Sequence, residues 1–303
     1  MADSKSMTVL QFGETGQVAR ELVRRAGGGC RIQAFGRAKA DLTDPNIAAD
    51  IVRRAEDCDA VINAAAYTAV DRAESEQSLA MAVNGEAVGG LAQACADRGV
   101  PLIHLSTDYV FDGRSPSPYR EGDATNPINA YGRSKLAGEN RIREILPQHI
   151  ILRTSWVFSP YGANFLKTML RLGAERDELR VVNDQIGAPT AAVDIAAAVH
   201  AVLHRLRAQP SSALFGTFHY TAEGRVSWYD FAAAILAGGR KFFPIKAKLQ
   251  AIDTSQYPTP AARPHNSLLD CSKIKSVYDI AQVPWENGMR DAISRLAQEG
   301  GVS

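Results

Sequence analysis

Thr8-Val-Leu-Gln-Phe12, followed at once by Gly13-Glu-Thr-Gly-Gln-Val-Ala19, is an apolar run that breaks into a turn with two glycines and then opens a helical pattern. Glycines at 13 and 16 let the backbone turn tightly and approach a pyrophosphate, while the helix N-terminus offers free N–H groups and the positive end of its dipole. Ala19 stands where the dinucleotide fingerprint often has a third glycine, a position that serves close helix–strand packing and tolerates alanine. Two glycines alone fit a plain strand-to-helix turn equally well. Their place at the first βα junction of an alternating chain favours the nucleotide loop.

The alternation continues downstream. Strands are predicted at Arg31–Phe35, Asp59–Asn63, Pro101–Ser106 and His149–Arg153, and helices at Gln17–Arg25, Asn46–Arg54, Leu79–Arg98 and Ala130–Ile145. Strands alternating with helices imply right-handed crossovers and a parallel sheet covered on both faces. The fold class is therefore α/β, a Rossmann-type doubly wound parallel sheet with a smaller C-terminal α/β substrate-binding region. Residues 1-155 read as an NAD(P)-binding Rossmann domain and 156-303 mainly as the substrate-binding region, with a stretch of roughly 191-222 returning to the first. In the later part, strands at Glu178–Val182 and Gly216–Thr221 and helices at Ala191–Leu206 and Trp228–Leu236 are separated by loops rich in Pro, Gly and Asn. Tyr257-Pro-Thr-Pro-Ala-Ala-Arg-Pro264 excludes regular helix and central strand.

A net charge of +1 over 303 residues leaves no extended basic surface for nucleic acid and no polybasic tail for membranes. The longest apolar runs, such as Ala191–Leu203, are broken by Asp194 and His200, well short of the ~20 residues a membrane helix needs. Met1–Met7 is polar and carries no apolar leader. Cys30, Cys58, Cys95 and Cys271 are far apart and form no metal-ligand spacing, so a reduced cytoplasmic protein is the simple reading.

The second strand ends Ala34-Phe35-Gly36-Arg37 without the acidic residue that would hold the adenosine ribose of NAD. Arg37 is either a partner for the 2′-phosphate of NADP or a solvated surface arginine; Asp41-Leu42 lies just beyond, placed to meet the adenine. Tyr131 and Lys135 in Ala130-Tyr-Gly-Arg-Ser-Lys135 share a helix face at i and i+4. A tyrosine with its ordinary pKa of about 10 is a poor proton donor at neutral pH, and a nearby ammonium lowers it. The fourth strand ends Leu105-Ser-Thr-Asp-Tyr-Val-Phe-Asp-Gly113, and ligands of doubly wound sheets sit at strand carboxyl ends. Thr107 is thus placed to orient and polarise a carbonyl oxygen, unless it only caps a turn. Thr107, Tyr131 and Lys135 together form a carbonyl-reduction site, with a nicotinamide delivering hydride and Tyr131 the proton. Trp156 follows the fifth strand, where an indole either packs against a pyranose or fills the core. Arg263 between prolines is either a fork for a phosphate or an exposed loop residue.

These segments closely resemble the extended short-chain dehydrogenase/reductases and, among them, the dTDP-4-dehydrorhamnose reductase family. The resemblance rests also on Asn63-Ala-Ala-Ala-Tyr-Thr-Ala-Val-Asp71, Tyr131-Gly-Arg-Ser-Lys-Leu-Ala-Gly-Glu139, Arg153-Thr-Ser-Trp-Val157, Asn183-Asp-Gln-Ile-Gly-Ala-Pro-Thr190 and Arg263-Pro-His-Asn-Ser-Leu268, in family order along nearly the whole chain. It implies reduction of the 4-keto group of dTDP-4-dehydro-β-L-rhamnose to dTDP-L-rhamnose by NADPH, with NADH as a second donor, in the supply of cell-surface polysaccharide. It implies that Gly13, Gly16, Gln17 and Val18 hold the pyrophosphate region, that Asp41 and Leu42 meet the adenosine end, and that Ala65, Ala66, Tyr67 and Thr68 wall the cofactor. Asp108 and Trp156 would contact the sugar nucleotide, and Asn164, Arg263 and Asn266 would lie around the nucleotide or its phosphates. Glu14 departs from the pattern by adding a negative charge beside the glycine loop. Some family members carry Mg²⁺ at a dimer contact; no acidic cluster for it is evident, so both metal and the choice of monomer or homodimer stay open. Two other readings remain: another sugar-nucleotide reductase or epimerase, for which the missing ribose-binding acid argues mildly against, and a non-catalytic regulatory subunit like the methionine adenosyltransferase β subunit, against which the full Thr–Tyr–Lys set argues.

Overall fold

The computed structural model describes residues 6–209 and 211–300. The polar start of the chain falls largely outside them. Elements run β1 (Met7–Phe12), α1 (Gln17–Arg24), β2 (Cys30–Phe35), α2 (Pro45–Arg54), β3 (Ala60–Asn63), α3 (Val70–Ala73), α4 (Gln77–Met81), α5 (Ala87–Arg98), β4 (Leu102–Thr107), α6 (Ala130–Ile145) and β5 (His149–Thr154). There follow β6 (Val157–Phe158), α7 (Phe165–Glu175), β7 (Glu178–Val182), β8 (Ile186–Gly187), β9 (Thr190–Ala191), α8 (Ala192–Ala208), β10 (Gly216–His219), β11 (Val226–Ser227), α9 (Trp228–Gly239), β12 (Lys248–Ile252), α10 (Ser272–Tyr278) and α11 (Trp285–Gln298).

Six strands form one parallel sheet in the order β10-β5-β4-β3-β1-β2. Strand order reverses at β1, so the crevice for a ligand opens outside the carboxyl ends of β1 and β3. Central strands are buried along nearly their whole length because helices cover both faces. On one face Val9, Ile62, Ile103 and Leu152 pack with Leu22 of α1 and Ile195 and Val199 of α8. On the other, Leu10, Phe12, Val61 and Ile151 pack with Val52, Leu91 and Ile142 of α2, α5 and α6. A further core gathers Leu166 and Leu170 of α7, Phe231 and Ile235 of α9 and Met289 and Ile293 of α11. The sequence pattern alone does not reveal α7, α10, α11 or β12, because their apolar stripes are short and set among loops.

The helix predicted over Leu79–Arg98 is interrupted by a π turn, Ala82–Glu86. Its extra residue turns Asn84 inward. Asn84 Oδ1 accepts from the Tyr67 amide at 2.8 Å, and Nδ2 donates to the Tyr67 carbonyl at 3.0 Å and Ser134 Oγ at 2.9 Å. This pins the loop after β3 to α6. Helix α6 comes very close to its neighbours: a Cβ on Gly138 would lie 2.2 Å from the Asn84 carbonyl oxygen, and one on Gly132 2.1 Å from that of Tyr109.

On α6, Tyr131, Lys135 and Glu139 are spaced four apart and so form one stripe. Glu139 is fully buried. It accepts from Arg153 Nε at 2.9 Å and Nη2 at 2.6 Å, from Ser106 Oγ at 2.6 Å and from Arg143 Nη2 at 2.6 Å. Arg153, on β5, is 1% exposed. The pair therefore joins α6 to β4 and β5 with every carboxylate oxygen bonded, the condition under which a buried ion pair is tolerated. Arg153→Met should cost up to about 3–5 kcal/mol in chemical denaturation by leaving Glu139 with only Arg143 and Ser106, and the double variant Glu139→Leu/Arg153→Met should regain most of that loss.

Candidate active site

The glycine turn is built as the sequence implies. Gly13 has φ +99°, and a Cβ there would lie 2.9 Å from the Ala64 carbonyl carbon. Only glycine fits. Buried Gln11 holds the turn's shape, its Nε2 donating to the Gly13 carbonyl at 2.8 Å and the Ala19 carbonyl at 3.1 Å. Gly16 is the N-cap of α1 and no side chain caps it. A Cβ on Gly16 would meet nothing nearer than Ala19 Cβ at 3.9 Å. The space before the helix N-terminus is open, as an approaching pyrophosphate requires.

Gln17 is latched to the segment after β6. Its Oε1 accepts from Ser159 Oγ at 2.9 Å and from Asn164 Nδ2 at 3.0 Å. Asn164 also caps α7, accepting from the Lys167 amide at 3.1 Å. Val18 and Leu42 are buried in the cores on opposite faces of the sheet, while Ala65, Ala66 and Tyr67 are half-buried and Thr68 is exposed after β3. Tyr67 donates to Glu76 Oε2 at 2.5 Å. Arg37 is exposed and its Nε donates to Asp41 Oδ2 at 3.2 Å.

At the end of β4, Thr107 takes the turn-capping position that the sequence left open. Its Oγ1 caps a turn by accepting from the Tyr109 amide at 3.1 Å, and it lies 2.9 Å from Asp108 Oδ1. The Tyr131 phenol lies near Thr107 and the Asp108 carboxyl. Its ring meets Tyr109 edge-on at 5.8 Å. Asn129 starts α6 by accepting from the Gly132 amide at 2.8 Å, which fixes where Tyr131 emerges.

Lys135 corrects an expectation. Its Nζ lies 3.0 Å from His104 Nε2 and donates to the Leu105 carbonyl at 2.8 Å. It does not pull Tyr131 down: burial pushes the Tyr131 phenol above its ordinary value, and the Asp108 carboxyl adds to this. The reason is that the i, i+4 stripe faces the sheet, where strand β4 offers Lys135 its own acceptors. Burial instead lowers Lys135 to about 8. His104, fully buried, is in turn 3.1 Å from Asn63 Nδ2, whose Oδ1 accepts from the Ala65 amide at 3.1 Å. Sequence reasoning missed His104; a lone histidine in an otherwise apolar strand was its only signal.

Two further placements differ from the expected ones. Arg263 forks onto Asp71 at 2.6 and 2.7 Å and also donates to the Ala261 carbonyl at 2.6 Å. A guanidinium so engaged has its fork committed to a carboxylate rather than a phosphate. Asn266 donates to the carbonyls of Ser115 at 2.8 Å and Ser117 at 3.2 Å, tying two loops together. Gly113 makes room for this contact, since a Cβ there would lie 2.3 Å from Pro264 Cβ. Trp156 is half-buried and stacks on Trp228 at 3.5 Å, its planes 6° apart. Its φ of +47° is strained for a bulky residue, and such strain gathers at functional sites. Among the described residues no three or more His, Cys, Asp or Glu converge as a metal would need, and no helix is long and apolar enough to cross a membrane.

The RmlD substrate binding domain family matches residues 7–298. The dTDP-4-dehydrorhamnose reductase of Sinorhizobium fredii is 46% identical over 97% of this chain and 99% of its own, and that of Escherichia coli K12 is 43% identical over 96% and 98%. The chain belongs to the dTDP-4-dehydrorhamnose reductase family. Among solved structures of that family, one from Clostridium acetobutylicum superposes with a TM-score of 0.88 at 35% identity, covering 96% of this chain and 99% of that one. One from Bacillus anthracis, in complex with NADP, does so with 0.87 at 34%, covering 96% and 99%. In protein labelled with ¹³C at lysine Cε, one resonance should titrate near pH 8 and vanish in Lys135→Met.

Proposed function

We propose that this chain reduces the 4-keto group of dTDP-4-dehydro-β-L-rhamnose to dTDP-L-rhamnose, with NADPH as donor. The observation that carries the reading is the convergence of Thr107 and Tyr131 at the carboxyl end of β4, in a chain matched along its whole length by these reductases. The glycine turn fits a dinucleotide, since Gly13 leaves no room for a Cβ and the front of Gly16 is open. Gly13, Gly16, Gln17 and Val18 would hold its pyrophosphate, Leu42 and Asp41 its adenosine end, and Ala65, Ala66, Tyr67 and Thr68 its wall. When bound, the nicotinamide supplies hydride to the carbonyl carbon. Tyr131 gives the carbonyl oxygen its proton, Thr107 orients that oxygen, and Lys135 offers the donor left over from His104 and Leu105 to the nicotinamide ribose. Asp108 and Trp156 line the sugar side.

Cofactor preference has a local cause. The Glu14 carboxylate lies over Gly36, so close that a Cβ there would be 2.4 Å from Glu14 Oε2. An acid at the end of β2 favours ribose hydroxyls and repels a 2′-phosphate. Arg37 opposes it, although it is shared with Asp41. NADPH and NADH are therefore both accepted. Glu14→Gln should shift the ratio of dissociation constants toward NADP⁺ by about fivefold, the ~1 kcal/mol of one exposed charge.

The test of the reaction is direct. NADPH absorbance should fall when the protein meets dTDP-4-dehydrorhamnose, and Tyr131→Phe should slow turnover by roughly 10²–10⁴-fold. Turnover of other nucleotide sugars but not this one would overturn the substrate, and full activity in Tyr131→Phe would overturn the acid.

A further inference from the structure

Asp108 is a buried acid with nothing to balance its charge. It follows Thr107 at the end of β4 and is 4% exposed. Its Oδ2 has no hydrogen-bond partner. The groups that face it are uncharged: the hydroxyls of Thr107 beside it, Tyr109 in the next turn, Tyr131 on α6 and Ser267 from the loop before α10, and the backbone amides of Asp108 and Tyr109. Arg263, which faces Tyr109, is taken by Asp71, and Lys135 on α6 is turned to His104 and Leu105. A carboxylate so buried, with one oxygen orphaned and no cation, takes up a proton instead.

The Thr107 hydroxyl has two lone pairs and one hydrogen. One lone pair accepts from the Tyr109 amide. With Asp108 ionised, the hydrogen must point to Asp108 Oδ1 at 2.9 Å, and Thr107 has no hydrogen left for a substrate. With Asp108 protonated, the carboxyl donates to the second lone pair and the Thr107 hydrogen is free to point forward. We propose that Asp108 is a positioning residue that works as a neutral carboxylic acid, turning the Thr107 hydroxyl into a donor to the carbonyl oxygen of the substrate. The neutral acid also removes the negative charge that holds the Tyr131 proton tighter, so both effects favour reduction. Burial pushes the Asp108 carboxyl up to about 7, so the active form dominates below neutrality and is lost as pH rises through that value.

The proposal rests on the reductase reading, and its test separates the two. Infrared spectra of the free protein should show a protonated carboxyl band at pH 6 that fades by pH 8.5 and is absent from Asp108→Asn. Should that variant not fold, ¹³C-aspartate-labelled protein carrying Asp194→Asn, which removes the half-buried aspartate also raised by burial, should still show the band. Asparagine keeps a donor facing Thr107, so turnover in Asp108→Asn should fall by less than about tenfold at pH 6 while its decline through pH 7 disappears. Asp108→Ala should lose about 100-fold. Absence of the band, or a decline through pH 7 unchanged in Asp108→Asn, would overturn the role of Asp108. No turnover of the dTDP-sugar by wild type, with the band present, would instead overturn the substrate.

Discussion

The buried pair of Glu139 and Arg153 is the constraint on which the site depends. A carboxylate and a guanidinium in the core are costly unless every donor and acceptor is used. Here Ser106 on β4, Arg143 on α6 and Arg153 on β5 saturate Glu139, and Arg153 Nη1 lies 3.4 Å from His219 Nε2 on β10. Four elements therefore share one network. Because Glu139 stands two helical turns from Tyr131, fixing it fixes the rotation of α6, and with it the direction in which Tyr131 and Lys135 point. Sliding or rotating the helix would leave charges unpaired in a medium that does not forgive it.

Small residues do the complementary work. Gly132 and Gly138 bring α6 against carbonyls of Tyr109 and Asn84, and Gly13 brings the nucleotide turn against Ala64. The π turn that presents Asn84 has a matching purpose, since Asn84 binds the backbone of Tyr67 on one side and Ser134 on the other. The loop after β3 and α6 are thus one mechanical unit. Ionisable groups inside that unit are pulled from their ordinary values by burial, Lys135 down to about 8 and Asp108 up to about 7. Their environments bring both within reach of neutral pH, a common feature of acid–base sites.

Much of this was legible beforehand. The parallel sheet follows from alternating elements, the glycine loop from its position after β1, and the Tyr–Lys pair from its spacing. Weaker signals failed for a physical reason. The helix predicted over Leu79–Arg98 has an alanine-rich pattern, and its Asn84-Gly85 pair does not by itself specify a π turn that tertiary bonds to Asn84 hold in place. Arg263 looks like a phosphate ligand from its loop, but Asp71, 192 residues away in sequence, claims it. Asn266 likewise spends its amide on the loop at Ser115 and Ser117.

Sequence alone determined the fold class, the glycine turn after β1 and the spacing of Tyr131 and Lys135, because these depend on periodicity and on residue chemistry within a few positions. Only the tertiary structure decided the charge environment of those side chains. It turned Lys135 to His104, left Asp108 without a cation, laid Glu14 over Gly36 and stacked Trp156 on Trp228. Burial and partner choice are properties of surfaces brought together from distant segments, and a proton's affinity for a group depends on those surfaces.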